Sequence, residues 1–217
     1  MTTIPTFLAG LTLAASLFFG STAAAQATDK PKAEAPKTEA PKADPTKNEE
    51  KTVYVLMTTS MGDITIELNN EKAPISTQNF LSYVDSGHYA GTVFHRVIDG
   101  FMVQGGGYDE NLEKKPTRNA IPNEADNGLK NVVGTVAMAR TNDPHSATAQ
   151  FFVNVKDNAF LDHKEKAGPG WGYAVFGKVT SGMDVVNQIK GVTTGSKGSF
   201  AKDAPLENVV IKSIRRA

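Results

Sequence analysis

Residues 94–107 read FHRVIDGFMVQGGG and set one permanent cation, Arg96, among aromatic, branched and thioether side chains. Phe101, Met102 and Gln104 follow it, then three glycines; Asp99 is the only acid, and serine and cysteine are missing from the stretch. A guanidinium stays protonated and only donates hydrogen bonds, so it is neither a nucleophile nor a base. Downstream, QFFVNVKDNAFLDH contributes Gln150, Phe152, Phe160 and Leu161. Taken singly, a strand aromatic is core material and an arginine is a solvated surface group. Taken together they read as a candidate site: a cation, two glutamines, a methionine and several aromatics recur around glycines that let backbones come close. Such a site sets a permanent hydrogen-bond donor beside an apolar surface, with neither a nucleophile nor an obvious base.

These residues need strands to hold them. VYVLMTT and DITIEL alternate as two strands around a tight SMG turn. Further strands fall at TVFHRVI, FMVQGG, GTVAMAR, QFFVNV, YAVFGKV and NVVIKSI. The spacing puts Arg96, Phe101, Met102 and Gln104 on two neighbouring strands joined through Asp99-Gly100, with Gln150 and Phe152 on another. APISTQNFLSYVDSG reads as a helix: Pro74 suits the first turn, Phe80, Leu81 and Val84 share a face, and Gly87 suits the C-terminal cap. MDVVNQIKG reads as a second helix stopped by Gly191. Many short strands with two isolated helices indicate an antiparallel sheet closed on itself, the helices covering its ends.

FHRVIDGFMVQGGG, followed by GTVAMAR, SATAQFFVNV, NAFLDH and YAVFGKV, closely resembles the cyclophilin family of peptidyl-prolyl isomerases, from about Val53 to about Ile214. With its leader, the chain resembles the bacterial periplasmic members. The resemblance implies a mainly β fold, a closed eight-stranded antiparallel barrel capped by two α-helices. It implies that Arg96 and Gln104 are catalytic, and that Phe101, Met102, Ala139, Arg140, Gln150, Phe152, Phe160, Leu161 and Tyr173 bind substrate. Phe160 stands where a tryptophan is common, Tyr173 where a histidine is common, and Arg140 where asparagine is frequent. Cyclosporin-like ligands are therefore expected to bind weakly. The partners implied are proline-containing polypeptides, unfolded or partly folded, met by a monomer without metal or cofactor.

Isomerisation fits the residues around Arg96. An X-Pro imide rotates over a barrier of about 18–20 kcal/mol, slowly without help. The enzyme need only favour the twisted state. Twisting frees the imide nitrogen lone pair, and a fixed guanidinium can donate to it. A proline-binding chaperone or scaffold without turnover is the alternative reading; Arg96 is the residue that a pure binder has no use for. An interaction module at an envelope surface is a third.

Ahead of the domain, Phe7 to Phe19 is an apolar run with no charged residue before it, followed by small residues at Ala23, Ala25 and Ala27. It is too short for a membrane span of about 20 residues and reads as a signal peptide over 1–27, giving a periplasmic or secreted protein; a retained anchor is the alternative. Residues 28–51, with APK twice and six lysines balanced by six acids, contain no large apolar side chain and read as a disordered tether. The folded domain is 52–217. Across the 217 residues, Lys+Arg and Asp+Glu are both 23, so no basic field points to nucleic acid, and the lack of cysteine removes disulfides and thiolate chemistry. The four histidines, His88, His95, His145 and His163, have no zinc-binding spacing. His95 reads as a structural histidine satisfied by hydrogen bonds, and RNAIPNEADNG as a surface loop.

Overall fold

The computed structural model describes residues 51–217; the expected leader and all but the last residue of the expected tether lie outside the described residues. In chain order the elements are β1 (Thr52–Thr59), β2 (Gly62–Asn69), α1 (Pro74–Asp85), β3 (Thr92–Ile98), β4 (Met102–Asp109), β5 (Thr135–Met138), β6 (Phe151–Asn154), β7 (Val175–Ser181), α2 (Met183–Lys190), β8 (Thr194–Lys197), β9 (Phe200–Pro205) and β10 (Val210–Arg216). Eight strands close into a barrel in the order β1-β10-β3-β4-β6-β5-β7-β2, with antiparallel neighbours throughout. This is the architecture expected from the strand patterns. The β8–β9 hairpin is additional. Its sequence, TTGSKGSFAKDAP, lacks regular apolar alternation and carries one large apolar side chain, Phe200, so no strand signal marks it.

Alternation fills the barrel. Val55 and Met57 of β1, and Ile64, Ile66 and Leu68 of β2, are buried in the interior, while their neighbours face outward. The helices close opposite ends. α2 lies at the β1–β2 turn, where Val185 packs against Gly62. α1 follows the far end of β2 and presents Phe80 to Tyr89, Phe151 and Phe176 at ring-centroid distances of 5.0, 5.5 and 5.3 Å.

Both ends of α1 have a local explanation, but only one is local in sequence. At the C-terminus, Gly87 adopts φ +69°; its N–H bonds to the Val84 carbonyl and the His88 N–H to the Tyr83 carbonyl. That double bond closes the helix through a left-handed residue. At the N-terminus, Ala73 has no capping side chain. Glu124 supplies it instead: its carboxylate accepts the Ile75 and Ser76 N–H groups at 2.9 and 2.7 Å and the Ser76 hydroxyl at 2.7 Å. The segment expected to be a plain surface loop thus holds α1 in place, with a cap worth about 1 kcal/mol.

Candidate active site

One row of residues crosses the outside of the barrel. Arg96 on β3 pairs with Gln104 on β4, Gln104 with Phe152 on β6, Phe152 with Ala137 on β5, and Ala137 with Val175 on β7. Residues opposite one another across strands share a face, so these five side chains lie together. Arg96 joins them only because β3 is irregular. Phe94 and Val97 both belong to the interior cluster although they are three residues apart. Between them the register moves two residues on β3, from Phe94 to Arg96, against one on β4, from Gly105 to Gln104. That extra residue is a β-bulge, and it reverses the facing of the residues beyond it. Without it, alternation would turn Arg96 into the barrel.

Four apolar residues on this outer face, Met102, Ala137, Phe152 and Val175, form a second cluster with Leu161, separate from the barrel core. Phe101, Ala139 and Tyr173 pack around it. The cover is incomplete, leaving an open cavity of about 100 Å3 lined by Arg96, Phe101, Met102, Gln104, Ala139, Arg140, Phe152, Leu161 and Tyr173. Nine of the eleven residues expected at the site therefore share one cavity. The other two stand beside it. Gln150 accepts a hydrogen bond from the Gln104 amide at 2.8 Å. Phe160 is 64% exposed at the rim and stacks on Phe101 at 5.6 Å. Trp171 is elsewhere, with His145 and His163 at 4.9 and 5.4 Å.

The glycines serve this arrangement. Gly106 has φ +83°, and a Cβ there would meet the Tyr89 and Phe151 rings at 2.8 and 2.9 Å. A Cβ on Gly107 would overlap the Gln150 side chain. The triplet thus keeps space for the glutamine that holds Gln104. The Arg96 guanidinium has no hydrogen bond or salt bridge to any other described residue, although the group is half-buried. Its neighbour His95 occupies the bulge, buried against Tyr108 and Phe200 at 4.6 and 5.4 Å. The expectation that hydrogen bonds satisfy His95 fails for Nδ1, which is buried without a partner. Burial, aided by the charge on Arg96, pushes the imidazole down to about 4, so no second cation forms behind the arginine at neutral pH.

Three buried asparagines support the walls, and sequence reasoning missed them. The Asn158 amide donates to the Phe101 carbonyl at 2.9 Å and to Asn154 Oδ1 at 2.7 Å. Asn154 donates to Asn131 Oδ1 at 3.2 Å. Asn131 in turn donates to the carbonyls of Leu161 and Tyr173, each at 3.3 Å. Three residues of the cavity are thus tied by their backbones through one buried chain. The available signal was Asn154, a polar side chain in the middle of FFVNV.

The closed barrel carries on its outer face an apolar slot with an unpaired cation, Arg96, at its edge. The chain belongs to the cyclophilin family: residues 54–216 match the model described as cyclophilin type peptidyl-prolyl cis-trans isomerase/CLD. It is 61% identical over 161 residues to peptidyl-prolyl cis-trans isomerase cyp18 of Streptomyces antibioticus, covering 74% of this chain and 96% of that one. It is 54% identical over 156 residues to peptidyl-prolyl cis-trans isomerase B of Escherichia coli, covering 72% and 94%. A crystal structure of a Cryptosporidium parvum cyclophilin in the presence of the dipeptide ala-pro superposes with a TM-score of 0.61 at 26% identity, over 76% of this chain and 98% of that one.

The depressed His95 sets a pH dependence. Its folded pKa of about 4 lies below the ordinary 6.5, so between these values the unfolded chain takes up a proton that the folded chain refuses. Stability is full above pH 6.5 and falls as the pH drops towards 4, by up to about 3 kcal/mol. Urea unfolding at pH 7 and pH 4.5 should show a smaller loss in His95→Gln than in wild type. Equal losses in the two proteins would remove His95 as the cause.

Proposed function

We propose that this isomerase domain acts on X-Pro bonds of exported polypeptides, with the prolyl ring in the slot and Arg96 as the catalytic donor. Phe101, Met102, Phe152 and Leu161 grip the ring. As the imide twists, its nitrogen loses conjugation and becomes an acceptor, and the guanidinium donates to it. Gln104, tethered to Gln150, donates to or orients the flanking carbonyl, and the backbone at Ala139 and Arg140 receives the rest of the peptide. No proton is transferred, which suits a site whose adjacent histidine is neutral. The observation that carries this reading is the unpartnered Arg96, turned outward by the bulge onto the same row as Phe152.

Arg96 acts mainly on the twisted state, so Arg96→Ala should lower kcat more than it weakens peptide affinity. A charged hydrogen bond is worth about 1.5–3 kcal/mol, which sets the loss at about tenfold to a hundredfold. Arg96→Lys should rescue poorly, because a point charge on a flexible stem does not reproduce the planar fork. NMR exchange on an X-Pro peptide, beside titration, reads both quantities. Turnover undiminished in Arg96→Ala would end the assignment; peptide binding without exchange enhancement in wild type would make the protein a binding module.

Cyclosporin-like ligands are proposed to bind weakly. Phe160 at the rim has no indole N–H to donate. Phe160→Trp should strengthen binding about tenfold to a hundredfold in a titration. An unchanged Kd would show that this wall does not meet the ligand.

The apolar run at 7–19 and the small residues after it support export with cleavage of residues 1–27. Sequencing of the mature N-terminus should begin near Gln26 or Thr28. A mature chain that starts at Met1 would favour the retained anchor instead.

A further inference from the structure

The cavity lining holds two arginines, Arg96 and Arg140, and no acid. The proposed reaction uses one of them. Arg140 is fixed in place by its surroundings: Nε donates to the Gly172 carbonyl at 2.9 Å and Nη1 to the Thr141 carbonyl at 2.8 Å. Its guanidinium carbon lies 4.5 Å from the centre of the Tyr173 ring. Tyr173 in turn meets Phe152 edge to face at 5.7 Å. The remaining nitrogen, Nη2, has no partner, and no described acid pairs with Arg140. A guanidinium stacked on an aromatic ring and held by two carbonyls loses little freedom when it binds an anion. It is a preorganised donor with one side open to the slot.

Its position relative to Arg96 tells which part of a substrate it meets. Arg96 stands on β3, and Ala139, whose N–H bonds to the Gln150 carbonyl, continues β5. From β3 to β5 the sheet runs through β4 and β6, three strand spacings or about 14 Å. An extended peptide advances about 3.3 Å per residue, and the Arg140 guanidinium stacks on Tyr173, whose ring meets Phe152. The cation therefore faces a substrate side chain two to four residues from the bond that Arg96 acts on.

We infer that Arg140 is a specificity-determining residue that selects substrates with a carboxylate side chain two to four residues from the proline. This deepens the isomerase reading and rests on it. Aspartate or glutamate there gains a charge-assisted hydrogen bond; lysine there meets the cation of Arg140 and is rejected.

The test uses peptides with one Ala-Pro bond and a single Glu, Gln or Lys at each of the second to fourth positions on either side of the proline. Wild type, Arg140→Gln and Arg140→Glu are compared by NMR exchange for kcat/KM and by titration for Kd. In wild type at low salt, one position should favour Glu over Gln by about three- to tenfold, and the ratio should shrink as salt is added. In Arg140→Gln the ratio should fall to near one, and Arg140→Glu should prefer Lys. A wild-type ratio of one at every position, or a preference that survives Arg140→Gln, overturns the inference. If wild type fails to turn over even the neutral peptides, the isomerase reading falls, and the titration ratios alone still decide the role of Arg140.

Discussion

A closed antiparallel sheet has an inside that only side chains can fill and an outside that needs covering wherever it is apolar. The barrel spends alternate residues of every strand on its interior. The complementary residues of β4, β5, β6 and β7 should then be polar, yet four of them are Met102, Ala137, Phe152 and Val175. Among the described residues, neither α1 nor α2 contributes a side chain to this cluster. Leu161, Phe101 and Tyr173 cover part of this outer patch from loops and strand ends, and the uncovered remainder is the slot. Arg96 reaches that slot through one bulged residue on β3. Function in this molecule is therefore a departure from strict alternation, made twice: once in residue type and once in register.

The parts that hold the slot open are polar and buried. Asn131, Asn154 and Asn158 replace what could have been an apolar layer with a chain of hydrogen bonds. A buried amide is costly unless paired, so each of these bonds discourages any other placement of the walls. The same logic applies at His95. Because burial keeps it uncharged at neutral pH, Arg96 is spared a like charge behind it. A neutral interior beside an unpaired cation leaves the field of that cation free to act outward.

How legible this was depends on how local each cause is. The eight barrel strands and two helices were readable because alternation, Pro74 and Gly87 act within a few residues. The grouping of the candidate residues was expected from the family resemblance, and the row that carries Gln104 and Phe152 follows from strand parity. Arg96 is the exception: parity from Phe94 points it inward, and nothing in TVFHRVI announces a bulge. The Glu124 cap was not readable, since the carboxylate and the helix end are 48 residues apart. Nor was the β8–β9 hairpin, whose reason for existing is Phe200 packed against His95 and Tyr108. Causes that act across the fold leave little trace in the segments they join.

The last strand of the barrel, β10, is inserted between β1 and β3. β10 pairs with β1 from Val55↔Arg216 onwards and with β3 at Val210↔Val93. The barrel consequently has a gap until its final residues exist. During synthesis β1 and β3 wait as open edges, each a row of unpaired donors and acceptors. Closing the gap joins segments about 160 residues apart, which makes folding slow relative to a fold of local contacts. A chain of the prolyl isomerase family thus has a late folding step of its own, and that step is topological.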